Sequence, residues 1–214
     1  ISSNSRPLPK EEAYDKVKSA TNALKAMGVK YFSKRIDTTL RGGVGVEIDA
    51  MLDQLNEDTI AVVVPAMPQS RRILVGGYSV IDGVALINTP VAQDVRTPVK
   101  ENYIPRLLAG QTRRKVGLVT LDQVLKGKEA LTEVRNDGAG VIIVDAITLE
   151  DVDQIAQACI DLDWDVVAVD PGPFTSKLAY RRGLIQEEQP NVPPAASEAG
   201  KTVLIAAGSA TPVT

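Results

Sequence analysis

Histidine is absent from the 214 residues. Within this chain, that excludes a Ser-His-Asp triad, a histidine-ligated metal and a histidine general base. Proton transfer by these residues falls to Asp, Glu or Lys. Cysteine is nearly absent too. Cys159 is the single one, so no internal disulfide forms. It falls on an apolar helical face and reads as a small core residue, a usage that suits a reducing cytoplasm. No apolar stretch is long enough to span a bilayer, and no signal-peptide pattern opens the chain. Nor is charge in excess. There are 24 Lys and Arg against 27 Asp and Glu, for a net charge of −3. That balance gives no general attraction to nucleic acid or anionic membrane, so any anion site has to be built locally.

What is present is ordinary globular material. Hydrophobic residues make up 44% and charged residues 24%, which supplies a core of normal size. The length suits one large domain, or one domain with a piece of another. Residues 10–27 read as an amphipathic helix with Ala13, Val17, Ala20, Leu24 and Met27 at helical spacing, Pro9 at its start and Gly28 at its stop. A short strand, roughly Lys30 to Ile36, comes next. A second helix follows, with Val44, Ile48, Met51, Leu52 and Leu55 on one face.

Four short apolar runs punctuate the rest: Ile60–Val64, Val116–Val119, Val141–Val144 and Val166–Val169. Such runs suit strands covered on both faces. The fold class expected is therefore α/β, a mostly parallel sheet with helices on both faces. Thr148–Leu162 is a helix, with Thr148 and Asp151 forming a capping box and Val152, Ile155, Ala156 and Cys159 its apolar stripe. Tyr78–Ile81 and Val84–Ile87, joined by Asp82-Gly83, form an inserted β-hairpin.

From Gln186 to Gly200 the composition turns to that of a linker, rich in Pro, Glu and small residues. A new apolar strand, Val203–Ala207, leads into Gly208-Ser209-Ala210-Thr211-Pro212. The expectation is that a second domain starts there, and that the chain is cut short at both ends.

Chemistry concentrates in Lys34-Arg35-Ile36-Asp37-Thr38-Thr39-Leu40-Arg41-Gly42-Gly43-Val44-Gly45, between a strand end and a helix start. Open α/β sheets bind ligands at that edge. A helix N-terminus offers N–H groups to anions, and glycines allow close approach to the backbone. Arg41 can grip a carboxylate with two parallel hydrogen bonds. Asp37, Thr38 and Thr39 can pair with hydroxyls. Together they suit a small polyhydroxy acid. The same stretch also reads as a capped turn with solvated basic residues, and pattern alone does not separate the two.

Ser5-Arg6 gains meaning only if it lies near this stretch. Asp145 and Asp170 end strands, where carboxylates either face a crevice or tie turns. Asp170-Pro171-Gly172-Pro173 is most simply a rigid turn. Pro65-Ala66-Met67-Pro68 and Arg71-Arg72 either line a pocket or shape a loop. Gly200-Lys201-Thr202 imitates the end of a phosphate loop, but the required glycine is Ala195 and the motif precedes its strand.

Lys34-Arg35-Ile36-Asp37-Thr38-Thr39-Leu40-Arg41-Gly42 resembles the K-x-D-S-T-L-R-G signature of the four-carbon acid sugar kinases. The resemblance continues along almost the whole chain. It takes in Asn4-Ser5-Arg6, Glu47-Ile48-Asp49-Ala50, Pro65-Ala66-Met67-Pro68, and Gly77-Tyr78 through Gly83-Val84. It then takes in Thr89, Ala92 and Asp94, Asp170-Pro171-Gly172-Pro173-Phe174, and Gly208-Ser209.

The resemblance implies an acid-sugar-binding domain over 1–185, a linker over 186–200, and the first strand of a nucleotide-binding domain over 201–214. It implies phosphorylation of a threonate- or erythronate-like acid, with ATP and Mg2+ in the full-length protein. Substrate-binding residues would be Ser5, Arg6, Lys34, Arg35, Asp37, Thr38, Arg41 and Gly42, and Gly208 and Ser209 would meet the nucleotide. Arg35 aligns with the signature's lysine, and Lys34 beside it could share that role. The partners implied are a four-carbon sugar acid and, as a further option, a second copy in a homodimer, with neither nucleic acid nor membrane, in the cytoplasm.

Thr38 stands where serine is usual, Gly43 where asparagine is frequent, and Arg71 where glycine is common. The family's opening D-D-x-T-G segment and its glycine-rich nucleotide motifs are missing, so the chain alone should not transfer phosphoryl groups. The alternatives are a non-catalytic module that binds a sugar acid as a sensor, and a nicotinamide-dependent enzyme. The lack of a G-x-G-x-x-G order argues against the second.

Overall fold

The four apolar runs become adjacent strands of one sheet. The computed structural model describes residues 1–186. The rest of the expected linker, the strand Val203–Ala207, Gly208 and Ser209 lie outside the described residues. The chain opens with α1 (Lys10–Ala26), β1 (Ser33–Arg35), α2 (Val44–Leu52) and β2 (Ile60–Val63). A small sheet follows: β3 (Arg72–Val75), β4 (Tyr78–Ile81) and β5 (Val84–Ala85). Then come α3 (Ile104–Ala109), β6 (Val116–Val119), α4 (Leu121–Val124), α5 (Lys128–Asn136), β7 (Val141–Val144), α6 (Leu149–Asp161), β8 (Val166–Asp170) and α7 (Pro173–Arg181). The main sheet has the order β1-β8-β2-β7-β6, and every neighbouring pair is parallel.

Strand alternation divides the core in two. Val62, Ile142, Val144, Val166 and Ala168 face Val152, Ile155, Cys159, Phe174 and Leu178 of α6 and α7. Ala61, Val63, Ile143, Val167 and Val169 face Val17, Ile48, Met51, Leu52, Ile104 and Leu108 of α1, α2 and α3. Each fully buried Val, Leu or Ile contributes roughly 1.5–3 kcal/mol, so the sheet interior dominates the stability. Cys159 belongs to this core, and burial pushes its thiol up to about 12.

Several local expectations change. The buried stripe of α1 is Ala13, Val17 and Thr21, while Met27 is 76% exposed beyond the helix end. Thr21 satisfies its hydroxyl on the Val17 carbonyl at 2.8 Å, which lets a polar residue enter the stripe. The first strand covers only Ser33–Arg35. The hairpin exists, with Asp82 and Gly83 both at positive φ, but β5 stops at Ala85. It is also part of a larger unit. β3 pairs antiparallel with β4 through a Gly76-Gly77 turn, both residues having positive φ.

The two strand-end carboxylates tie turns. Asp145, fully buried, accepts N–H bonds from Gly76 at 2.5 Å, Gly77 at 2.9 Å and Leu121 at 3.1 Å. It fastens the small sheet to the end of β7. Asp170 accepts from the backbone N–H of Gly172, Phe174 and Thr175 and from the Thr175 hydroxyl. The Asp-Pro-Gly-Pro segment therefore starts α7, with Pro173 in its first turn.

Candidate functional site

A cavity of about 610 Å³ opens beyond the C-terminal ends of β1, β8 and β2. Its walls come from the N-terminal segment (Ser5, Arg6), the end of β1 (Lys34, Arg35), the signature loop (Asp37, Thr38, Arg41), α2 (Glu47), Met67, Pro171, and the Asp94–Thr97 segment. Ser5 and Arg6 thus lie beside the signature stretch, which was the condition for reading them as part of it.

The signature loop is held open by its own backbone. Leu40 adopts a φ of 54° and is kept there by burial of its side chain, an observed strain at a cavity edge. Gly42 has a φ of 90°, and a Cβ there would sit 2.8 Å from Arg6 Cγ and 3.1 Å from the Arg6 carbonyl oxygen. Gly42 is therefore a place where two backbones meet, besides any contact it makes with a ligand.

Arg41 is gripped from two sides. Its Nε donates to Asp37, and its Nη1 donates to Asp94 at 2.9 Å. Asp37 also accepts from the Thr39 hydroxyl at 2.5 Å, and Arg6 stands 4.0 Å away. Burial raises the Asp37 carboxyl, but the hydrogen bonds from Arg41 and Thr39 outweigh it, and the net direction is downward. Asp94 is held down at about 2 by the backbone N–H groups of Thr97 and Arg96 and then by Arg41. Arg72 donates from Nη1 to Thr38 Oγ1 at 2.8 Å. That hydroxyl, already an acceptor, keeps its proton to donate elsewhere.

Lys34 is nearly buried and pairs with Glu47 at 2.5 Å, and Glu47 also accepts from Ser5. The N-terminus of α2 is less free than its sequence suggests, because Gln111 Oε1 accepts the Gly45 N–H at 2.9 Å. Sequence reasoning passed over Asp94, Arg96, Glu47 and Gln111 as site residues. Asp94 and Glu47 carried a signal, in the Thr89, Ala92, Asp94 run and in Glu47-Ile48-Asp49-Ala50. Arg71, a place for glycine in the resemblance, has a φ of 53° and points to solvent, while Arg72 turns inward.

The lining holds five cations, Arg6, Lys34, Arg35, Arg41 and Arg96, against three carboxylates, Asp37, Glu47 and Asp94. In a chain of net charge −3 this is a local cationic excess. It gives the cavity the chemistry of an anion site bordered by hydroxyls. The three carboxylates are already committed to cations. Among the described residues, no group of Asp, Glu or Cys is placed to hold a metal ion. The described carboxylates therefore do not form a Mg2+ site of their own.

The sequence profile of a family described as a sugar-binding N-terminal domain matches residues 1–178. The chain belongs to this sugar-binding family. Relatives of the sugar-binding domain include a D-erythronate kinase of Heliobacterium modesticaldum, 41% identical over 218 aligned positions, covering 100% of this chain and 48% of the relative. A D-threonate kinase of Bordetella bronchiseptica is 33% identical, over 84% of this chain and 42% of the relative. The chain therefore spans less than half the length of these curated relatives.

Among solved structures, a Haemophilus influenzae protein superposes with a TM-score of 0.75 at 28% identity, over 83% of this chain and 44% of that one. A Bordetella bronchiseptica protein, described as a domain-swapped dimer with bound citrate, gives 0.70 at 32% identity, over 81% and 42%. Among the described residues of the sugar-binding domain, no helix is long and apolar enough to cross a membrane.

The paired carboxylates predict an acid limb of stability. The sign follows from linkage. Asp37, Asp94 and Asp53 have folded values below the ordinary 3.8, with Asp53 at about 2 because bonds from Arg113, Tyr14 and Arg114 overcome its burial. Their contribution is full above pH ~4 and is lost as pH falls towards ~2. Asp145, raised by burial against the pull of its N–H donors, works in the opposite sense. Thermal melts should show a plateau near neutrality and a steep fall in Tm below pH ~4. Asp94→Asn should flatten part of that fall. A Tm that stays level down to pH ~2 would contradict the ion-pair assignment.

Proposed function

We propose that this chain is the acid-sugar-binding part of an ATP-dependent four-carbon acid sugar kinase, cytoplasmic and homodimeric, acting on a threonate- or erythronate-like acid. The observation that carries the reading is the cavity with its surplus of arginine around Asp37, Thr38 and Arg41. Its chemistry matches a small molecule with a carboxylate at one end and hydroxyls along its length. The kinases named among the relatives support it, as does the citrate bound to the Bordetella protein. That protein's dimeric state supports the homodimer.

In this reading Arg6, Arg96 and the free Nη2 edge of Arg41 draw in the carboxylate. Asp37, held ionised, serves as an acceptor that orients a hydroxyl, and its depressed pKa makes it a poor base. Thr38, with Arg72 occupying its oxygen, donates its proton to the substrate. Lys34 fixes Glu47 and Ser5 rather than meeting the ligand. ATP supplies the phosphoryl group from a nucleotide side that Gly208 and Ser209 would begin and that continues in the part of the protein this chain does not span.

The test is a coupled ADP-release assay on the full-length protein with D-erythronate, D-threonate and 3-oxo-tetronate. Turnover of at least one is expected. Silence on all of them would end the kinase reading. Calorimetric binding of an acid without turnover would instead favour the sensor module.

A further inference from the structure

Arg35 and Lys34 are neighbours on β1, and strand alternation sends them to opposite sides. Lys34 turns to α2 and is neutralised by Glu47 at 2.5 Å. Arg35 turns towards the start of α7, where a Cβ built on Gly172 would stand 3.3 Å from its Nη1 and 3.5 Å from its Cζ. Among the described residues no carboxylate pairs with Arg35, and its side chain stays exposed.

Arg35 borders three cavities: one, of about 390 Å³, lies against α1, and the other two meet at Met67 and Pro171. One of those two is the 610 Å³ cavity of the candidate site. The other, of about 570 Å³, is lined further along by Gln69, Ser176, Lys177 and Tyr180. Met67 and Pro171 complete the wall they share. The N-terminus of α7 does not explain the second cavity, since Asp170 already takes the N–H groups of Gly172 at 2.7 Å, Phe174 at 2.7 Å and Thr175 at 3.2 Å. What stands at the boundary is an uncommitted planar cation.

Resting on the kinase reading above, we propose that Arg35 is a catalytic residue that stabilises the phosphoryl group in flight rather than the acid's carboxylate. The second cavity is then the side from which the phosphate donor approaches. In the step, a hydroxyl oxygen of the acid forms a bond to the γ-phosphorus of ATP. The bond from that phosphorus to the oxygen bridging the β-phosphate breaks, and ADP leaves with its electron pair. The hydroxyl proton passes to water. The transferring group crosses from one cavity to the other, with its charge spread over the equatorial oxygens. A guanidinium set at the shared wall meets those oxygens without moving.

The experiment uses the full-length protein with Arg35→Gln and Arg35→Lys. Because Arg35 is exposed, both variants should keep the wild-type Tm within a few degrees. For Arg35→Gln, kcat should fall about 100-fold, with KM for D-erythronate within about threefold of wild type. Arg35→Lys should recover roughly tenfold of that loss. Calorimetry without ATP supplies a second readout. The Kd for D-erythronate should hold, while the Kd for the phosphorylated D-erythronate made by the wild-type enzyme weakens about tenfold.

Equal weakening for both ligands would mean that Arg35 holds the carboxylate, and the proposal falls. No change in kcat or in either Kd would make Arg35 a surface residue, and it falls again. A wild-type protein that neither binds nor turns over any four-carbon acid would remove the kinase reading itself, and this proposal with it.

Discussion

Arg41→Ala in the full-length protein will lower kcat/KM for the four-carbon acid by roughly 100- to 1000-fold. The cause is twofold. The variant loses the guanidinium edge that faces the cavity. It also releases Asp37 and Asp94, which Arg41 holds together from two distant parts of the chain. Two carboxylates left beside an anion site repel the ligand and each other. Their side chains are 19% and 25% exposed, so solvent moderates the loss in stability, which should read as no more than a few degrees in Tm. Burial then acts on Asp37 without its counterweight, and the acid limb of the melting curve moves to higher pH. Arg41→Lys should restore charge but not both contacts, because one ammonium cannot span two carboxylates in that geometry. Activity within threefold of wild type for Arg41→Ala would remove Arg41 from the site.

Gly42→Ala should damage both stability and the site. Its φ of 90° is left-handed backbone that an L side chain adopts only at a cost, about 1–2 kcal/mol. The new methyl would also meet Arg6 at 2.8 Å from Cγ and 3.1 Å from the carbonyl oxygen. A side chain can swing away, but a backbone carbonyl has to be pushed. A total near 2–3 kcal/mol is expected, with KM for the acid raised at least tenfold as Arg6 and Ser5 are displaced. Gly43 provides the contrast one residue on. Its φ is −88°, and a Cβ there meets only Val46 at 3.8 Å. Gly43→Ala and Gly43→Asn should therefore melt within about 1 °C of wild type. Comparable damage at both positions would show that the backbone geometry is not the cause.

The sheet was readable because its three inner strands, β2, β7 and β8, are buried on both faces. Val141–Val144 and its three companions need no periodicity to stand out, only length and β-branched residues. The α6 cap was readable for a local reason, since Thr148 and Asp151 satisfy each other three residues apart. The losses came where distant residues decide. The pairing of Arg72–Val75 with Tyr78–Ile81 does carry a local signal, the Gly76-Gly77 turn, but what fastens that turn, Asp145, is distant in the chain. Met27 looked like the next apolar rung of α1, yet the helix ends before it and Thr21 takes the inner position. Within the site, Asp37, Thr38 and Arg41 were found because they are contiguous. Asp94 acts on Arg41 from 53 residues away, a pairing that chain order conceals. Lys34 and Arg35 looked interchangeable in sequence, and it is the pleat of β1 that separates them.

Residues 68–100 leave the end of β2, fold back on themselves, and deliver Asp94, Arg96 and Thr97 to one wall of the cavity. They are fastened to the main sheet by backbone, through the Leu74–Ala146 bridge and the N–H groups on Asp145, and by the buried side chains of Leu74, Ile81, Leu86 and Val99 in the core. The segment therefore cannot be exchanged as a free-standing insert: a graft that redraws this wall has to keep the buried Leu74 and Leu86 and the partners of Arg41 and Thr38, Asp94 and Arg72.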